Sequence, residues 1–205
     1  MPKRTQNSKI IIYFIEGEIL YDLVITGGGT AGCATAISAA KNGLKVLIVE
    51  KNSFLGGSMT GALVMPMMKN FLKDGTDLNG DFAKELMSEL NNDALTFSDN
   101  NYGWFNSEML KCALDNLCEK YNVDVFFESV VTDVKTDSGK IVSCEVQYCG
   151  QKMKLEAKCF VDATGNGDLA YLCGADFKNG NDGINQAMTL RFIASNVDVK
   201  KFAEF

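Results

Sequence analysis

A glycine-rich turn between a predicted strand and a predicted helix constrains this chain more than any other feature. The segment from Gly27 to Gly32 reads GGGTAG and fits the pattern G-x-G-x-x-G. The apolar residues 23–25 predict a buried strand before the turn. The alanine-rich segment 31–42 predicts a helix after it, with Gly43 as a natural stop.

A second strand completes the unit. The run KVLIVE at 45–50 predicts a parallel strand that is buried on both faces. Residues 20–50 therefore predict one β-α-β unit with a right-handed crossover. Glu50 ends the second strand 23 residues after Gly27. A strand, a glycine turn, a helix and an acidic residue at this distance are typical of a dinucleotide-binding site.

Each residue of the turn has a predicted role. Gly27 permits the tight turn, Gly29 lets a pyrophosphate approach the backbone, and Gly32 lets the helix pack against the sheet. The free N–H groups where the helix begins, at Thr30 and Ala31, and the helix dipole favour phosphate charge.

Glu50 is predicted to accept hydrogen bonds from the hydroxyls of an adenosine ribose. Its carboxylate disfavours a 2′-phosphate. The alternative interpretation of the whole pattern is a glycine-rich turn without a ligand.

The remaining pattern is not that of a plain NAD domain, which should continue with regular β-α-β repeats. A glycine- and methionine-rich loop, two helices and a β-meander follow instead. Predicted helices cover 81–90 and 109–121, with Ser107 or Asn106 as the N-cap of the second, and a short helix ends near Cys173. The predicted strands are 123–127, the meander 130–134, 141–146 and 152–157 with turns at 137–139 and 149–150, then 159–162 and 186–193.

Composition excludes several classes of function. The net charge of −6 argues against nucleic acid as a main partner. The chain has no histidine, which removes Ser-His and Cys-His nucleophile pairs and histidine-ligated metals. Seven cysteines without a C-x-x-C spacing predict reduced thiols in a cytoplasmic protein and no metal site. The apolar run at 10–15 is too short to span a bilayer.

Four stretches resemble a known family. The chain is similar to the two-dinucleotide-binding-domain flavoproteins, and among them to the FAD-dependent oxidoreductase family that includes heterodisulfide reductase-like proteins. The motif A-T-G followed by G-D, at 163–168, distinguishes this family best from simple NAD dehydrogenases, which lack the motif at this place. The matching stretches are YDLVITGGGTAGCATAISAAKNGLKVLIVEK (21–51), FLGGSMTGALV (54–64), FVDATGNGDLAYLCGADF (160–177) and NQAMTLRF (185–192).

The resemblance implies FAD as the cofactor and places residues around it. Gly27, Gly29 and Gly32 would hold the pyrophosphate and Glu50 the ribose. Asp168 would lie close to the cofactor, with a helix-capping role as the alternative. The other implied cofactor-binding residues are Lys51 beyond the ribose, Gly56 and Gly57 at the flavin, Val131 at the adenine, and Ala163, Thr164 and Gly165 where the chain returns to the cofactor.

The resemblance also implies a domain organisation. We expect an α/β fold in which residues 20–184 form a Rossmann-like FAD-binding domain with a parallel sheet and a three-stranded meander. Residues 1–19 would be an extension, and residues 185–205 would begin a second, substrate domain. Relatives are at least twice as long, so we expect a truncated or split protein. A partner chain or oligomer would supply the missing half.

The expected function is flavin-mediated hydride or electron transfer on an unidentified small-molecule substrate. No catalytic acid or base can be named from the sequence. One alternative is a non-catalytic flavin-binding remnant or a partner-dependent subunit; another is an NAD-dependent dehydrogenase domain. Some relatives carry iron–sulfur clusters, for which the cysteine spacing here gives no support.

Overall fold

The computed structural model describes residues 20–68, 70–90 and 103–204, so the predicted extension at 1–19 lies outside the described residues. Its elements in chain order are β1 (Leu20–Thr26), α1 (Thr30–Lys41), β2 (Val46–Val49), a 3₁₀ turn (Gly57–Met59), β3 (Pro66–Met67), α2 (Asp81–Glu89), β4 (Gly103–Trp104), α3 (Ser107–Lys120), β5 (Asp124–Phe126), β6 (Ser129–Asp137), β7 (Lys140–Tyr148), β8 (Gln151–Asp162), α4 (Asp168–Leu172) and α5 (Val199–Ala203).

One sheet of six strands organises the fold, in the order β5-β2-β1-β8-β7-β6. The pairs β5/β2, β2/β1 and β1/β8 are parallel, and β8/β7 and β7/β6 are antiparallel. The α/β class, the parallel sheet and the three-stranded meander are thereby confirmed. The strand order reverses at β1, which has β2 on one side and β8 on the other. In open α/β sheets, ligands bind at the carboxyl ends of the strands beside such a reversal.

Apolar side chains cover both faces of the parallel strands. All four residues of β2 are buried, as the sequence predicted. Ile25 and Ile48 face a cluster that α1, α2 and α3 complete. Val24 and Leu47 face the opposite cluster, which includes Val146 and other meander residues. The parallel strands are thus covered by helices on one face and by side chains of the meander on the other.

Turn and cap chemistry explains where several elements end. Ser138 and Gly139 between β6 and β7 both have positive φ, as do Cys149 and Gly150 between β7 and β8. Two successive positive φ values characterise the tight turns that suit hairpin twist, so both predicted turns are confirmed. Of the two caps considered for α3, Asn106 is the one used: its side chain accepts hydrogen bonds from the N–H groups of Glu108 and Met109.

An ion-pair cluster joins the three core helices. Glu85 of α2 accepts from Lys41 at the end of α1 (2.9 Å) and from Lys120 at the end of α3 (2.6 Å). The hydroxyl of Tyr121 also donates to Glu85. Burial by itself raises the pKa of Glu85, but the hydrogen bonds from Lys120, Tyr121 and Lys41 outweigh burial and lower the pKa to about 2.

Two strand predictions were wrong. Segments 152–157 and 159–162 form a single strand, β8. Its first half pairs with β7 and its second half with β1. The pattern of apolar residues changes where the partner strand changes, and for this reason it indicated two strands. Segment 186–193 is not a strand: it is irregular and exposed, because it has no neighbouring strand to pair with among the described residues. The two-residue strands β3 and β4, which pair antiparallel, were not predicted.

Candidate cofactor site

Steric contacts require glycine at two positions of the first glycine turn, Gly27 and Gly32. Gly27 has a φ of +95°, which side chains rarely adopt. A Cβ on Gly32 would lie 1.9 Å from the carbonyl oxygen of Gly27. Helix α1 therefore packs directly on the turn. The N–H of Gly27 donates to the carbonyl of Val49 (2.8 Å) and ties the turn to β2.

Gly29 differs from its neighbours because the protein itself does not crowd it. It is the N-cap of α1, with φ −72° and no side-chain cap, and a Cβ there would have its nearest contact at 3.9 Å, the Cα of Gly57. Thr30 and Ala31 follow it on the surface. The first N–H groups of a helix have no acceptor inside the helix, so this helix start suits an anionic ligand.

The second glycine loop packs on the first. The N–H of Gly56 donates to the carbonyl of Gly28 (2.8 Å). A Cβ on Gly57 would lie 2.8 Å from the Cα of Gly29. The hydroxyl of buried Thr60 donates to the carbonyl of Leu55 (2.7 Å) and closes the loop. Gly56 and Gly57 thus lie beside the start of α1.

Glu50 follows β2 as a buried carboxylate with 4% of its surface exposed. The N–H of Gly28 donates to its Oε2 (2.6 Å). The backbone and side-chain amides of Asn52 donate to its Oε1, at 2.8 and 2.6 Å. Glu50 therefore connects the glycine turn to the loop that follows β2.

The A-T-G segment returns the chain to the same place. Ala163 donates its N–H to the carbonyl of Thr26 (2.8 Å), and a Cβ on Gly27 would lie 2.5 Å from the oxygen of Ala163. Oδ1 of Asp162 accepts from the N–H and the hydroxyl of Thr164 (3.0 and 2.7 Å), and its Oδ2 accepts from the N–H of Ala170 (2.9 Å). Burial raises the pKa of Asp162, but these hydrogen bonds outweigh it, so the pKa lies below its usual value.

A pocket opens between these segments at the carboxyl ends of β1 and β2. It encloses about 460 Å³, its open mouth included, and is lined by Thr26, Gly27, Val49, Glu50, Lys51, Ser129, Val130, Val131, Thr164, Asp168 and Leu169. Six of these residues were predicted for the site: Gly27, Glu50, Lys51, Val131, Thr164 and Asp168.

The other predicted residues lie around the pocket rather than in its lining. Gly29, Thr30, Ala31 and Gly32 begin α1, and Gly56 and Gly57 pack on that turn. Ala163 packs on Gly27, while Gly165 is exposed with a φ of +80° and open space around it. Asp168 begins α4 and is exposed, and the N-cap of that helix is Gly167, so the structure gives Asp168 no capping role.

Several residues that shape the site were not predicted. Asp162 holds the A-T-G turn, and Asn52 holds the Glu50 carboxylate. Ser129, which is 1% exposed, lines the pocket. The spacing D-x-T at 162–164 is a recognisable signal, because a carboxylate two residues before a turn residue commonly accepts its N–H. Asn52 gives no comparable signal, since its role depends on where Glu50 points.

The site fits an adenine dinucleotide. Three backbone segments meet so closely that a Cβ on Gly27, Gly32 or Gly57 would collide with backbone atoms. The start of α1 at Gly29 is not crowded and leaves space for a pyrophosphate. A buried carboxylate lies in a pocket at the strand ends. Within the described ranges, no group of three or more histidine, cysteine or acidic side chains could hold a metal ion. Fold and site together define a dinucleotide-binding α/β protein.

Comparison with known proteins places the chain in a family. The profile of the FAD-dependent oxidoreductases matches residues 22–205, so the chain belongs to this family, whose cofactor is FAD. It is 25% identical over 153 residues to digeranylgeranylglycerophospholipid reductase 1 of Methanococcoides burtonii, a match that covers 71% of this chain and 38% of that reductase.

Solved structures share the fold. A geranylgeranyl bacteriochlorophyll reductase-like protein of Thermoplasma acidophilum matches with a TM-score of 0.55 and 22% identity, over 77% of this chain and 43% of that one. A flavoprotein/dehydrogenase of Cytophaga hutchinsonii matches with a TM-score of 0.57 and 19% identity, over 76% and 42%. The chain therefore spans less than half the length of these relatives. Among the described helices, none is long and apolar enough to cross a membrane.

Proposed function

We propose that this chain binds FAD in the pocket at the carboxyl ends of β1 and β2. The pyrophosphate would lie against Gly29 at the start of α1, and the adenosine ribose against Glu50. The observation that carries the proposal is the uncrowded Gly29 at the start of α1, beside Gly27, Gly32 and Gly57, where a Cβ would collide with backbone atoms. The backbone of Val131 would meet the adenine, and the loop at Gly56 and Gly57 would approach the flavin.

Within this site, each group of the chain has a binding or orienting task. The helix start of α1 supplies N–H donors and a favourable dipole to the pyrophosphate. Glu50 accepts hydroxyl hydrogen bonds of the ribose, and its charge disfavours a phosphorylated ribose. Thr164 and Asp168 line the pocket on the side of β8, and Lys51 lines it after β2.

We infer that the whole protein is an FAD-dependent oxidoreductase acting on a small-molecule substrate. Bound flavin supplies hydride or electron transfer, while the protein supplies binding, orientation and electrostatics. Family membership and the fit of the site support this assignment. Residues 20–184 would form the FAD-binding domain, and 185–205 would begin a substrate domain. The exposed thiols of Cys112, Cys149 and Cys159 favour a reducing compartment such as the cytoplasm.

The replacement of Gly29 by alanine tests the site against a matched control. Gly29 and Gly80 are both helix N-caps without a side-chain cap, and their dihedrals are nearly equal, at −72°/−172° and −76°/−175°. Gly29→Ala should weaken FAD binding at least about tenfold, which is about 1.4 kcal/mol, whereas Gly80→Ala should leave it unchanged. Both variants should change the free energy of unfolding by less than about 1 kcal/mol. Wild-type FAD affinity in Gly29→Ala would contradict the site.

A second candidate function, a partner-dependent subunit, has one observation in its favour. Met188, Leu190 and Phe192 alternate along the irregular segment and are 100%, 87% and 78% exposed. Apolar surface of this kind commonly associates with other protein surface. Sedimentation velocity of the FAD-loaded chain tests this candidate: a concentration-dependent dimer that Leu190→Ser abolishes would support it.

A further inference from the structure

The buried carboxylate of Glu50 is hydrogen-bonded to Asn52, to which the proposed FAD site assigns no role. Asn52 donates two hydrogen bonds to Oε1, one from its backbone N–H (2.8 Å) and one from Nδ2 (2.6 Å). We propose that Asn52 is a positioning residue: it orients the Glu50 carboxylate toward the adenosine ribose and thereby sets the preference of the site for ribose over 2′-deoxyribose. This inference rests on the proposed FAD site.

The acceptor capacity of Glu50 is only partly used within the chain. An ionised carboxylate offers about four acceptor positions, two on each oxygen. Asn52 occupies two positions on Oε1, and the N–H of Gly28 occupies one on Oε2. The position left for a ligand is therefore on Oε2, beside the glycine turn. A ribose hydroxyl can bind there without breaking any bond within the chain.

The side-chain amide of Asn52 controls the direction of this open position. The terminal torsion of a glutamate side chain is broad and roughly two-fold, so a carboxylate without fixed partners rotates easily. Two donors on Oε1 and one on Oε2 fix this rotation. Without the Nδ2 donor, Oε2 would point toward the ribose for a smaller fraction of the time. The preference for a 2′-hydroxyl would then fall.

The backbone of Asn52 is held independently of its side chain. Its carbonyl accepts from the N–H of Glu128 (3.1 Å), and the carbonyl of Glu50 accepts from the N–H of Ser129 (2.9 Å). These bonds pair segment 50–52 with segment 128–129. Replacing the side chain removes the Nδ2 donor and leaves the backbone pairing in place. Asn52 can therefore be tested without dismantling the loop.

Calorimetric titration of the full chain with ADP and with 2′-deoxy-ADP tests the inference. The wild type should bind ADP about tenfold more tightly, the value of one hydrogen bond to a charged acceptor. In Asn52→Ala, ADP binding should weaken about tenfold and 2′-deoxy-ADP binding should change little, so the preference disappears. Asn52→Leu, which is similar in size but has no side-chain donor, should lose the preference as well.

Asn79→Ala is the matched control. Like Asn52, Asn79 is half-buried and donates from Nδ2 to a side-chain oxygen, Oδ1 of Asn70 (2.8 Å), but Asn70, unlike Glu50, does not line the pocket. This variant should keep the wild-type preference. Equal weakening of both nucleotides in Asn52→Ala would overturn the inference, because a merely structural role predicts it. Tighter ADP binding in Asn52→Ala would also overturn it, since Asn52 would then compete with the ribose. If the wild type binds neither nucleotide nor FAD, the proposed site itself fails.

Discussion

Gly27 and Ala163 touch so closely that a Cβ on Gly27 would lie 2.5 Å from the carbonyl oxygen of Ala163. The contact joins the turn after β1 to the turn after β8, two strands that are neighbours in the sheet but far apart in sequence. The N–H of Ala163 also donates to the carbonyl of Thr26 (2.8 Å). The first glycine turn and the A-T-G segment thus form one surface, which explains why both stretches carry the family resemblance.

Gly32→Ala should destabilise the fold itself. The new Cβ would lie 1.9 Å from the carbonyl oxygen of Gly27, so α1 must shift away from the sheet. Overpacking of this kind costs about 1–3 kcal/mol. Urea denaturation should show the loss, and flavin content should fall with it. Unchanged stability in Gly32→Ala would contradict the packing of α1 on the turn.

Asp162→Asn should loosen the A-T-G turn. The amide nitrogen that replaces one carboxylate oxygen cannot accept from Ala170 or Thr164, which leaves at least one donor without its partner. We expect the free energy of unfolding to fall by about 1–2 kcal/mol. Asp176→Asn, at an exposed position, is the control. Equal effects of both substitutions would exclude the proposed role of Asp162.

The Glu85 cluster should make stability depend on pH in the acid range. The pKa of Glu85 is lowered from 4.5 to about 2, so its contribution is fully present above pH 4.5 and is lost as the pH falls toward 2. After allowance for solvent screening, this contribution is about 1–2 kcal/mol.

Glu85→Gln isolates that contribution. The variant should be less stable than the wild type at pH 7, and the difference should shrink as the pH falls below 4.5. Urea denaturation at about pH 7, 4 and 3 measures it. Glu119→Gln, an exposed position on α3, should show no such convergence. A constant difference for Glu85→Gln at all three pH values would contradict the lowered pKa.

Six of the seven thiols should divide into two classes of reactivity. Cys33, Cys118 and Cys144 are buried, and burial raises the pKa of Cys118 and of Cys144 to about 12. Because the thiolate is the reactive form, these positions should resist iodoacetamide in the folded chain. The exposed positions 112, 149 and 159 should be alkylated first. Peptide mass spectrometry before and after unfolding measures both classes, and early labelling of Cys118 would contradict the described core.

The structure could be predicted from the sequence where residues close together in the chain determine it. The β-α-β unit, the meander turns and the helices at 81–89 and 107–120 follow from hydrophobic periodicity and glycine placement. The continuity of β8 could not be predicted, because its two halves pair with different strands. The buried partners of Glu50 could not be predicted either, since Asn52 reaches it only through the conformation of the loop after β2.

The visible absorption spectrum of the purified chain tests the central claim most directly, with the released cofactor identified after denaturation. We predict the bands of oxidised flavin, with FAD released in an amount near one per chain. Gly29→Ala, purified in the same way, should be folded by far-UV circular dichroism and nearly colourless. A wild-type chain that stays colourless after FAD is added, although it is folded, would contradict the account.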